Sequence, residues 1–135
     1  MAKFIFLCVT LIYCFILPPS VVLKSFQQKF PEAKQTKWSK ENAHEYEASF
    51  KMNRSSYSAN FSDKGKWLET ESPTNFISLP SPVQDKINTS KINKATIKAI
   101  SKIEKHTGVI TYELELKKGK KIIEKFYSSD GLELK

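Results

Sequence analysis

The stretch 46–71, YEASFKMNRSSYSANFSDKGKWLETE, alternates apolar and polar residues with a period of two. Tyr46, Ala48, Phe50 and Met52 fall on one face, with Glu47, Ser49 and Lys51 on the other. After Asn53-Arg54 the pattern resumes, with Tyr57, Ala59 and Phe61 set against Ser58 and Asn60. Ser62-Asp63-Lys64-Gly65 is a turn, and Lys66-Trp67-Leu68-Glu69-Thr70 begins a third run. Strict alternation over this length predicts half-buried antiparallel strands, because successive strand side chains point to opposite faces of a sheet. A three-stranded meander is therefore the frame on which the rest is built.

Residues 1–20 read as a signal peptide rather than as part of the fold. Lys3 precedes an uncharged apolar run, 4–17, which Pro18-Pro19-Ser20 ends. That run is shorter than the about 20 residues a membrane-spanning helix needs, and it has the length of a secretory core segment. Lipoprotein anchoring is not expected, since bulky Tyr13 precedes Cys14 where a small residue is required. Cys8 and Cys14 both lie in the run, so the exported chain would hold no cysteine, hence no disulfide, thiol nucleophile or Cys-bound metal. The full chain carries a formal charge of +8, from 22 basic and 14 acidic residues. Loss of Lys3 leaves it strongly basic.

Val22, Leu23, Phe26 and Phe30 recur at helical spacing and predict a helix over 21–30, with Ser20 as its cap and Pro31 as its stop. Residues 34–40, containing Trp38, read as a strand leading into the meander. Pro73, Pro80 and Pro82 mark a linker whose Phe76, Ile77 and Leu79 are expected to tuck onto the core. Ser81 with Gln84 three residues on, and Pro82 between them, predicts a capped second helix. Strands follow at 112–116, 122–127 and 132–134, separated by turns at Lys118-Gly119 and Ser129-Asp130-Gly131.

The two halves overlay. A shift of 66 places Tyr46 on Tyr112, Glu47 on Glu113, Phe50 on Leu116, Phe61 on Tyr127 and Gly65 on Gly131, with Lys125 opposite Ala59 as the exception. This suggests an internal duplication. Residues 92–103 fit a helical stripe by periodicity. The repeat instead requires a strand there, with Ile97, Ala99 and Ile103 inward, and we take the strand. The expected fold is α+β: two tandem similar units, each a helix packed on a four-stranded antiparallel sheet, after an N-terminal signal peptide. The boundaries are 1–20 for the leader, 21–72 for the first unit, 73–81 for the linker and 82–135 for the second unit.

Certain motifs carry a family resemblance: Phe26-x-x-Lys29-Phe30-Pro31-x-Ala33, Trp38, Tyr46-Glu47-Ala48-x-Phe50, and the run from Phe61-Ser62-Asp63-Lys64-Gly65-Lys66-Trp67 to Glu71. Leu79-Pro80, Tyr112-Glu113-Leu114 and Asp130-Gly131-Leu132 extend it. Together they resemble the PepSY-like, β-lactamase-inhibitor-like family of exported Bacteroidetes proteins. The resemblance implies tandem helix-on-sheet units and a periplasmic or cell-envelope address. It brings no catalytic residues, and the inhibitor in the family's name is an analogy of fold.

The residues themselves give little material for catalysis. His44 and His106 sit beside predicted turns among charged residues and read as solvated imidazoles. Glu69 and Glu71 alternate onto one strand face, a pattern that can serve acid–base chemistry but more often is a solvated face. The four glycines are far apart and form no phosphate-cradling loop. Arg54 is the only arginine, which argues against nucleic acid despite the lysines at 117, 118, 120 and 121. We therefore expect no enzyme, no cofactor and no metal. The expected function is an exported binding domain of the bacterial envelope, binding or inhibiting a protein through its open sheet face, with Trp38 and Trp67 as partner-binding residues. An anionic envelope component is the other expected partner. The alternative function is a small-ligand carrier or sensor using the cleft between the halves. No stable membrane span is expected after leader removal, and the address is periplasmic or secreted.

Overall fold

The computed structural model describes residues 16–135. The body of the apolar run and both cysteines therefore lie outside the described residues. Helix α1 spans Ser20–Lys29, followed by strands β1 (Lys34–Asn42), β2 (Glu45–Met52), β3 (Ser55–Ser62) and β4 (Trp67–Pro73). Helix α2 spans Ser81–Thr89, followed by β5 (Ile97–Lys105), β6 (Ile110–Lys118), β7 (Lys121–Ser128) and the short β8 (Glu133–Leu134).

The strands form one eight-stranded antiparallel sheet in chain order. This corrects the expectation of two four-stranded sheets. β4 pairs with β5 from Glu69↔Lys105 to Pro73↔Ser101, fusing the halves into a single sheet. The physical reason is that a free strand edge leaves a row of unpaired N–H and C=O groups, and β4 and β5 satisfy each other's.

Both helices lie on the same face. In the first half Val22, Phe26 and Phe30 pack on Ala48, Phe50, Ala59 and Phe61. In the second, Val83 and Ile87 pack with Leu79, Ile100, Tyr112, Leu114, Leu116 and Tyr127. Register equates the halves: Tyr46↔Phe61 matches Tyr112↔Tyr127, and Trp38↔Ala48 matches Ile100↔Leu114. Sizes are exchanged across each interface. Ala48 and Ala59 face each other in register beneath an aromatic helix, whose Phe26 meets Phe50 edge-on at 5.1 Å. The second helix offers only Val83 and Ile87, and its sheet supplies the bulk with Leu114 and Tyr127. Paired exchanges of this kind keep core volume constant while identity falls.

The matched glycines hold each helix to its sheet. Gly65 (φ +80°) and Gly131 (φ +85°) close equivalent turns, in which Ser62 N–H donates to the Lys66 carbonyl and Ser128 N–H to the Leu132 carbonyl. A β-carbon on Gly65 would come within 2.9 Å of Val21 and Ser25, and one on Gly131 within 2.5 Å of the Pro82 carbonyl oxygen. Each turn thus presses on the first turn of its own helix.

Several expectations are corrected in detail. Ser20 and Ser81 are the first helical residues rather than caps; Pro19 and Pro80 hold the cap positions and their carbonyls accept the first helical amides. Gln84 closes no capping box and instead donates to the Ile77 and Leu79 carbonyls. Ile77 is exposed, whereas Leu79 is buried and Phe76 packs partly against the second core. The strand reading of 97–105 holds, after a 3-10 turn at Lys94–Thr96. Its core residue is Ile100, because a register shift between Ile97 and Ala99 changes which side chains face the helix. Ile103 points to the opposite face.

Candidate functional site

Among the described residues no helix covers the second face of the sheet, and register fixes what it displays. One row runs Ser49, Ser58, Glu71, Ile103, Thr111 and Ser128 across six strands. A neighbouring row runs Glu47, Asn60, Glu69 and Lys105. Another holds Ser101, Glu113, Phe126 and Leu134, and beyond it Glu115 faces Glu124. Seven of the 14 acidic residues, Glu45, Glu47, Glu69, Glu71, Glu113, Glu115 and Glu124, therefore share this face, together with Lys37, Lys51 and Lys105.

The centre of the face is recessed. Ile103, Thr111 and Glu113 are only 8 %, 8 % and 5 % exposed although no helix lies over them. A depression of about 300 Å³ lies beside this centre, between Glu47 and Glu71, with Ser49, Ser58 and Ser101 in its lining.

Crowding carboxylates in a recess raises their proton affinity. Burial pushes the Glu113 carboxyl up to about 8, with Glu71, Glu124, Glu115 and Glu69 adding repulsion. Burial is also the main cause that raises Glu47, Glu69 and Glu124; Ser49 donates a hydrogen bond to Glu47 that works against the rise. Lys105 opposes the rise at Glu69, whereas the leading charges acting on Glu113 are carboxylates.

Trp38 and Trp67 lie on the helix-covered face, not on the open face where the sequence reading put partner binding. Trp38 meets Phe26 edge-on at 5.1 Å and occupies the place that Ile100 takes in the second half. Trp67 pairs with Phe61 because a bulge between Asn60 and Phe61 returns it to the core side. Its indole N–H donates to Thr70 Oγ1 at 2.9 Å, and Lys29 Nζ sits 3.6 Å from the ring centroid. Both tryptophans are half-buried against the first core.

His44 is exposed and 3.0 Å from an Asp63 carboxylate oxygen; His106 Nδ1 lies 3.2 Å from the Leu68 carbonyl oxygen. Among the described residues no three His, Cys, Asp or Glu come together as a metal site. The Glu69/Glu71 alternation was visible in the sequence, as was the alignment of Glu47 with Glu113. What was missed is that strand pairing gathers all of them on one face.

A fused, helix-backed antiparallel sheet with one open face defines the class: an α+β protein built on two matched helix-and-meander halves. The family model described as "Putative beta-lactamase-inhibitor-like, PepSY-like" matches residues 15–57 and 44–132, and the chain belongs to that family. Several solved structures share the fold. A DUF2874 family protein from Bacteroides ovatus is 20 % identical with a TM-score of 0.76, over 89 % of this chain and 86 % of that one. A protein from Bacteroides eggerthii described among "putative periplasmic proteins" is 15 % identical with a TM-score of 0.80, over 89 % and 88 %. A BLIP-like protein from Bacteroides fragilis is 19 % identical with a TM-score of 0.71, over 90 % and 86 %. No curated protein matches the chain. Among the described residues no helix is long and apolar enough to cross a membrane.

Proposed function

We propose that this protein is an exported, non-enzymatic binding domain of the bacterial envelope that docks a protein partner on the open face of its sheet. The observation that carries the reading is a recessed face across the fused sheet, uncovered by any described helix, whose centre buries Ile103, Thr111 and Glu113. The two repeated units, 21–72 and 82–135, would act as one surface because β4 and β5 join them. Family membership and the periplasmic description of one relative support the envelope address, as does the apolar run at 4–17. Trp38 and Trp67 enter this reading as supports of the first core rather than as anchors.

The test is capture from envelope extract by the exported domain, comparing wild type with Ser49→Trp. Ser49 is exposed on the open face, so a bulky ring there blocks docking without entering either core. Capture that survives the substitution removes the reading. The exposed lysines at the β6–β7 turn, Lys117, Lys118, Lys120 and Lys121, favour a second reading, in which an anionic envelope component binds at that tip. That binding would be lost at high salt and untouched by Ser49→Trp. The carrier alternative finds less support, since the depressions beside Glu71 and around Glu32, Lys51 and Arg54 do not lie between the helices.

A further inference from the structure

The sheet is open, and its two ends are built differently. β1 carries the irregularities that blunt an edge: register shifts between Lys34 and Lys37 and between Lys40 and Asn42, with Gln35 at φ +53°. Lys34, Lys37 and Lys40 are spread along it. At the other end β8 is only two residues long, so most of the edge belongs to β7. β7 pairs with β6 without interruption from Lys121 to Ser128, while β8 meets only Phe126 and Tyr127. Among the described residues no strand pairs with the outer side of 121–125.

Ser128 N–H donates outward, to the Leu132 carbonyl. Successive residues of an antiparallel strand direct their N–H and C=O groups to alternate sides, so Phe126, Glu124 and Ile122 point the same way as Ser128. β8 meets Phe126; the backbone groups of Ile122 and Glu124 have no strand to meet among the described residues. The first half shows what such a position can hold. Ser58 matches Glu124 under the shift of 66, and there β4 continues through Glu69 and Thr70 to pair Glu71 with Ser58. β8 stops at Leu134, the match of Leu68, and brings β7 no counterpart of 69–71. Ile122 and Ile123, 53 % and 37 % exposed, place one apolar side chain on each face of the uncovered stretch. Lys117, Lys118, Lys120 and Lys121 are exposed at its turn end; Glu124 and the Lys125–Glu133 ion pair stand at the other.

We infer that the β7 edge takes up an extended segment of another protein as an added strand, with apolar residues against Ile122 and Ile123 and acidic residues reaching the turn lysines. The segment runs antiparallel to β7, in line with β8, so its C-terminal end reaches the turn and its acidic residues follow its apolar ones. The outward backbone groups of Ile122 and Glu124 supply affinity, and the side chains select. A second copy offering its own β7 fits worse. Centred on Ile123, that two-fold pairing sets Lys121 against Lys125, like charges directly opposite each other. Uptake at this edge is independent of docking on the open face.

The probe is a fluorescent peptide of alternating valine and threonine that ends in glutamates, titrated into wild type and Ile122→Pro, each checked for folding by thermal melt. Proline at 122 removes an outward N–H and breaks no bond to β6. Wild type should bind the peptide, and Ile122→Pro should bind it about tenfold more weakly. Two altered peptides, titrated into wild type, need no variant to fold. N-methylation of the central amides, which blocks both edges of the peptide, should cost about tenfold or more, and lysines in place of the glutamates should weaken binding. Equal affinity of the methylated and plain peptides overturns the inference and leaves only charge attraction to the turn. Equal affinity in wild type and folded Ile122→Pro, or no binding by wild type, also overturns it. Ser49→Trp should bind the peptide as wild type does; loss of binding there would place the peptide on the open face and overturn the edge assignment. A mass that rises with concentration in wild type and not in Ile122→Pro would assign the edge to a second copy, and so overturn the choice of a different protein.

Discussion

Replacing Glu113 by Gln keeps the shape of the side chain and removes its titration. In the folded chain the Glu113 carboxyl is pushed up from 4.5 to about 8. The sign follows from proton counting. Between those values the unfolded chain releases its proton while the folded chain retains it, so folding stability falls as pH rises. Below about pH 4.5 both states are protonated and nothing is lost; above about pH 8 the full penalty is present. Each pH unit in the window is worth at most about 1.4 kcal/mol, an upper bound of about 3 kcal/mol by neutral pH and about 4–5 kcal/mol by pH 8, of which solvent reaching the carboxylate screens roughly half. Glu113→Gln removes that term. The variant should match wild type to within about 0.5 kcal/mol near pH 4 and exceed it by about 2–3 kcal/mol near pH 8. For a chain of this size that gain is on the order of 5–10 °C in Tm. Urea melts of both proteins across this pH range measure it directly. A gain of the same size at both ends would mean that Glu113 acts through packing and not through its charge. A loss at the alkaline end would mean that the carboxylate is paired.

Four further substitutions test the cores and turns. Tyr127→Phe should stabilise by about 1 kcal/mol in thermal melts, because the hydroxyl is buried without a partner among the described residues, and Phe61 already fills the matching place in the first half. Gly131→Ala should cost about 3 kcal/mol, from a positive φ and an overlap with the Pro82 carbonyl. A neutral result would remove the role given to that turn in holding α2. Trp38→Ala should cost about 2–3 kcal/mol by deleting the ring packed on Phe26 and Phe61, and it should leave capture through the open face intact once folding is restored by lower temperature. Trp67→Ala should destabilise less, since it removes a half-buried ring, one hydrogen bond and the Lys29 contact.

Much of this protein follows from local pattern alone. Alternation through Tyr46, Ala48 and Phe50 dictates that one strand face is apolar, because side chains on a strand must point in turn to either side. The Val22, Phe26 and Phe30 spacing dictates a helix stripe to cover it, and the matched turns at Gly65 and Gly131 expose the repeat. Family membership was legible in the same motifs. Tertiary structure decided what depends on how strands pair. The β4–β5 pairing turned two sheets into one, and two register irregularities sent Trp67 to the core side and made Ile100 rather than Ile103 the core residue. The acidic face exists only through that pairing. Glu47, Glu71 and Glu113 are far apart along the chain, each unremarkable beside its sequence neighbours, and their repulsion and desolvation arise only when backbone hydrogen bonds fix them on one recessed surface.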